Sequence, residues 1–163
     1  MTGHDAIRST FQRSKYLVHL LTEDLSDADL LIRPAPNANH IAWQLGHLIQ
    51  STHVLLAPYL GDRTVPLPSG FAERHGRDGA GRADTAGFFT RSEYLDLFDK
   101  STAAACAALD ALPPEKLDEP NTGALSQMAR TVGTLFQIAA EHPLMHLGQF
   151  SVVRRALGKP NKF

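Results

Sequence analysis

A chain of 163 residues, 43% of them hydrophobic, is long enough for one domain with a substantial core. Its 16 Lys and Arg nearly cancel 17 Asp and Glu, which removes the net field that would draw in nucleic acid or an anionic membrane. No segment approaches the ~20 apolar residues of a membrane helix, the opening MTGHDAIRSTFQ holds no apolar signal core, and Cys106 stands alone, so the expectation is a cytoplasmic protein without disulfides whose metal ligands are nitrogen and oxygen.

From about His4 to Leu25, the apolar Ile7, Phe11, Val18, Leu21 and Leu25, with Ser14 between them, recur at spacings of three and four, the pattern of a helix with one face in the core. The break SDADLLIRPAPNA carries two prolines and several cap formers. A second helix then starts near Asn39 and ends by Pro58 to Gly61, with Ile41, Leu45, Leu48 and Leu55 inward. The link GDRTVPLPSGFAERHGRDGAGRADTAG follows; it is rich in Gly, Pro and Arg, has neither helical nor strand period, and exceeds the usual length of a connection.

Thr90 with Glu93 forms a capping box that opens a third helix, whose inner face is Tyr94, Phe98, Ser101, Ala105, Ala108 and Leu112 and which Pro113 and Pro114 stop. A last helix runs from about Thr131 to Leu157, with Arg154 and Arg155 in its final turn, Gly158 after it and Pro160 beyond. Four long helices without a strand pattern predict an all-α four-helix bundle. The long link crosses over and leaves the second and third helices parallel, an up-down-down-up order.

At 100° per residue, Leu135, Ala139, His142, His146 and Val153 fall in one narrow band of the last helix, which aims two imidazoles at the core. Unpartnered imidazoles there cost roughly 1–3 kcal/mol per unmet polar group. Histidines four apart lie one above the other, with Cβ atoms about 6 Å apart, close enough to ligate one ion. On the second helix His40, Gln44, His47 and Ser51 form a polar strip beside the apolar face, and His47, at its centre, is the candidate third ligand. Three neutral imidazoles leave the charge of a divalent ion intact and a coordination position open.

Gln44 and Gln149 are candidates to orient a ligand or substrate, beside the plainer reading of packing amides. His40 reads as a surface histidine near a positive helix end, with a place at the mouth of the site as the alternative. His4, His19, His53 and His75 read as surface or loop residues, and Glu141 as a solvent-side charge. Trp43 falls away from the apolar centre, for a subunit contact or packing beneath the link; Arg154 and Arg155 complement the helix end. Cys106, in AAACAAL, reads as a small packing residue. The link arginines Arg63, Arg74, Arg77 and Arg82 read as solubilising charges, with a cofactor-binding role as the alternative. Pro143, between the paired histidines, removes a backbone donor to Ala139 and predicts a kink, which would disturb their pairing only if it is large.

NHIAWQLGHL in the second helix and EHPLMHLGQFSVVRRALGKP in the last resemble the motifs of the DinB-like four-helix metalloenzymes, a family unrelated to the DNA polymerase of similar name. The resemblance implies that His47, His142 and His146 bind nickel, zinc or a similar ion, and that the protein is a homodimer acting on a small molecule. It also implies an S-transferase or isomerase that uses a low-molecular-weight thiol such as bacillithiol, mycothiol or glutathione. A metal-activated hydrolase is the neighbouring enzymatic reading. A metal-binding, stress-linked protein without turnover and a metal-free bundle with mutually satisfied histidines are the non-enzymatic ones.

Overall fold

A computed structural model describes residues 1–81, 84–160 and 162. The predicted helices form as α1 (Gly3–Thr22), α2 (Ile41–Leu60), α4 (Arg91–Asp110) and α5 (Val132–Ala156). The long link is not featureless: it carries α3 (Phe71–His75) between two 3-10 turns. The fold is therefore the expected all-helical bundle, and no strand occurs among the described residues.

The ends of the helices are written locally. Thr2 and Asp5 at α1, and Thr90 and Glu93 at α4, each close a reciprocal capping box that satisfies orphan N–H groups. Thr131 caps α5 by accepting from the Thr134 N–H. At its far end Gly158 takes φ +67°, and the N–H groups of Gly158 and Lys159 return to the carbonyls of Arg155 and Arg154. That pair of bonds is a Schellman closure, which needs the left-handed residue glycine supplies.

Contacts between helix ends fix the directions. Arg8, early in α1, pairs with Asp110 at the end of α4, while Arg91, opening α4, donates to the carbonyls of Thr22 and Glu23; α1 and α4 run antiparallel. Arg154, late in α5, reaches Leu21 and Asp24 at the end of α1, so these two run parallel. Gln44 meets His146 and His47 meets His142, so α2 and α5 run antiparallel. The order is up-down-down-up, with α2 and α4 parallel as the crossover requires.

Two apolar clusters fill the bundle. One joins Ile7 and Phe11 to Leu56, Leu60, Ala105, Leu109 and Phe136; the other joins Val18 and Leu21 to Ile41, Leu45, Tyr94, Phe98, Phe150 and Val153. On α5 the first cluster ends at Ala140 and the second resumes at Leu147, and His142 and His146 stand between them. Pro143 sits inside α5 without ending it, and the imidazoles on either side of it still face each other, Nε2 to Nε2 at 3.2 Å. Beside the gap it leaves in the backbone ladder, Ser14 donates to the Ala140 carbonyl at 2.7 Å.

Arg154 does more than complement a helix end. It is 1% exposed and holds Asp24 with both terminal nitrogens, at 2.5 and 3.2 Å, while also donating to the carbonyls of Leu21 and Pro160. The guanidinium hydrogen bond holds the Asp24 carboxyl down at about 2.

Candidate metal centre

α2 and α5 bring His47, His142 and His146 together. One nitrogen from each ring lies within 4.8 Å of the others, and the Nε2 atoms of His142 and His146 are 3.2 Å apart. Two imidazoles sharing one ion at ~2.0–2.1 Å each stand at most about 4 Å apart, so one pair is already within range and the widest separation must close by less than about 1 Å. The arrangement is compatible with a single bound metal ion.

The other ring nitrogens carry the stronger indication. His146 Nδ1 donates to Gln44 Oε1 at 2.9 Å, and the Gln44 amide nitrogen is itself fixed on the Asn39 carbonyl at 2.8 Å. His47 Nδ1 donates to the His75 carbonyl at 3.2 Å. Both bonds place the proton on Nδ1 and turn an Nε2 lone pair toward the cluster, which is how proteins prepare imidazoles as ligands. Trp43 stacks on His47, with ring centroids 4.7 Å apart and planes 9° apart, and Ser51 Oγ lies 3.4 Å from His47 Nε2.

Burial keeps these rings neutral. It pulls His146 down to about 3 and His142 to about 4, with the neighbouring histidines adding to the effect, and it also lowers His47. A neutral imidazole is the form a metal needs. Among the described residues no carboxylate joins the cluster, and Glu141 points outward, bonded to Gln137.

Several expected roles change. Gln149 is exposed, whereas Gln44 is buried against His146. His40 is not a surface residue: it is fully buried, its Nδ1 accepts the Trp43 N–H as the cap of α2, and Phe88 meets its ring edge-on at 4.5 Å. Trp43 is 6% exposed and belongs to the site through its stack on His47.

His75, read as a surface or loop residue, lies in the core. It is fully buried, with Nδ1 donating to the Phe71 carbonyl at 2.9 Å and Nε2 accepting from the Tyr94 hydroxyl at 2.7 Å. His53, also read as surface, is half-buried against Ser101 at 3.0 Å; His4 and His19 bond the Leu112 carbonyl and Asp99. Of the link arginines, Arg74 lies over Phe88 and pairs with Asp84, Arg63 and Arg77 are exposed, and Arg82 lies outside the described residues. Cys106 is buried as expected, and burial raises its thiol pKa.

A four-helix bundle in this order, with a histidine cluster between its second and last long helices, defines a class of protein, and residues 10–150 match the model of the DinB superfamily. The chain belongs to that superfamily. Among solved structures it is similar to YfiT from Bacillus subtilis, described as "a probable metal-dependent hydrolase with an unusual four-helix bundle topology". The TM-score is 0.69 at 14% identity, over 96% of this chain and 89% of YfiT, a likeness of fold. No curated protein matches the sequence.

Proposed function

We propose that the protein is a metal-dependent enzyme that holds one divalent ion, zinc or nickel, on His47, His142 and His146 and transfers a low-molecular-weight thiol to an electrophilic small molecule. The observation that carries this reading is the tautomer control: Gln44 and the His75 carbonyl each occupy an Nδ1, so that His146 and His47 offer Nε2 to a common point beside His142. A bound ion supplies Lewis acidity, lowering the pKa of a thiol or water in the position three histidines leave open.

The chain's own residues then have distinct tasks. Trp43 covers one face of His47 and keeps water from it, and Ser51 stands at the rim with a hydroxyl that can bond an incoming group. Among the described residues no carboxylate joins the three imidazoles, and in this reading the nucleophile is a thiol. A thiol ionises outright on a divalent ion, whereas hydrolysis proceeds through proton transfers that usually employ a nearby base. The description of YfiT favours water instead, and the two readings separate by assay. In this reading the working unit is the homodimer that the family resemblance implies, which light scattering checks.

Protein loaded with zinc or nickel is incubated with a panel of thiols and a chromogenic aryl halide, and separately with activated esters. His146→Ala serves as the blank. Metal-dependent thiol transfer absent from the blank is expected. Ester cleavage without thiol transfer would make the protein a hydrolase, and no turnover at full metal occupancy would leave it a metal-binding protein.

A further inference from the structure

His47 approaches the cluster from α2, and among the described residues no side chain bonds its Nδ1. What orients it is a backbone carbonyl, that of His75, on a five-residue helix within the link. A carbonyl in a Gly-rich link holds a ring in place only if the link is itself held. The His75 side chain is one of the buried groups by which the link meets the bundle, beside Phe71.

The ring is fully buried and bonded at both nitrogens, to the Phe71 carbonyl on its own helix and to the Tyr94 hydroxyl on α4. Phe71, Phe88 and Phe89 surround it, with centroids 4.2, 5.6 and 6.4 Å away. On its remaining side it presses against Gly46, the residue before His47. A β-carbon at Gly46 would come within 2.1 Å of the ring. Glycine inside a helix costs about 1 kcal/mol relative to alanine, and here the space it leaves is filled by His75.

We propose that His75 is a positioning residue for the metal ligand His47. Seated against Gly46 and tied to Tyr94, it sets its own carbonyl against His47 Nδ1, which fixes the tautomer and the ring plane. Trp43, stacked on the same ring, prevents rotation the other way. α3, within the link, is in this view part of the metal centre. The proposal rests on the metal reading above, and its test separates the two.

Zinc affinity is measured for the metal-free protein by competition with a chromophoric chelator, for the wild type and for His47→Ala, Gly46→Ala and Tyr94→Phe. The tautomer of His47 is read from imidazole nitrogen shifts in metal-free protein, a signal that general loss of stability does not move. Expected are a loss of at least 100-fold in His47→Ala and about 10-fold in Gly46→Ala and Tyr94→Phe, with the Nδ1–H form of His47 giving way to a mixture in the last two. If Gly46→Ala does not fold, Tyr94→Phe, which keeps the shape of the ring, decides alone. Wild-type affinity and an unchanged His47 tautomer in Tyr94→Phe, with affinity lost in His47→Ala, would overturn the role of His75 and leave the metal centre standing. Unchanged affinity in His47→Ala would overturn both.

Discussion

His146 links the two helices of the cluster, bonded to Gln44 on one nitrogen and facing His142 with the other. His146→Ala is expected to abolish metal binding while helical content persists, as read by elemental analysis and far-UV circular dichroism. Gln44→Ala removes the acceptor for Nδ1 and should weaken the metal by about 10–100-fold, whereas Gln149→Ala, on an exposed flank, should change nothing. Acid is a second probe. His40, His75 and His142 are held to about 4 and His146 to about 3 by burial, against 6.5 unfolded. The unfolded chain therefore binds more protons below neutrality. The stability these rings contribute is full above pH 6.5 and is lost as pH falls from there through 4. Urea midpoints of metal-free protein that stay level from pH 7 to 4 would contradict it. The three histidines that meet were legible as a group because an HxxxH pair on an apolar face and a polar strip on the second helix are local patterns. His75 was not, because its partners, Gly46 and Tyr94, lie far off in sequence. The one trace was a glycine inside IAWQLGHL, where helix propensity argues against it.

At the scale of helices, the stops and starts were legible wherever the chemistry is a short motif. The capping box at Thr90 and the Gly158 closure are where the spacing put them. Thr90→Ala is expected to lower stability by about 1 kcal/mol, measured by urea denaturation. α2 starts at Ile41, close to the expected Asn39, and its cap is an imidazole, His40, outside the usual Ser, Thr, Asp and Asn. Arg154 was read as a charge at a helix end because its partner, Asp24, belongs to the turn after α1 and no local rule connects them. Its removal tests the reassignment: Arg154→Met should cost about 2–3 kcal/mol, since charged hydrogen bonds are lost and two backbone carbonyls lose a donor. A cost within about 0.5 kcal/mol, the usual range for surface changes, would return Arg154 to the surface role.

For the whole molecule, a bundle order that leaves α2 and α4 parallel demands a long crossover, and the same crossover delivers His75 to His47. The sequence made the fold class readable through helical period and the length of the link, and left the interior of that link unreadable because no periodic face runs through it. The site therefore spans elements that fold apart in sequence and meet only in the bundle. No helix among the described residues is long and apolar enough to cross a membrane. Anomalous diffraction from crystals of the zinc-loaded protein, collected at the zinc edge, addresses the central claim most directly. One peak per chain is expected, bonded at about 2.0–2.1 Å to nitrogens of His47, His142 and His146. A peak elsewhere, or none between these three rings at saturating zinc, would contradict it.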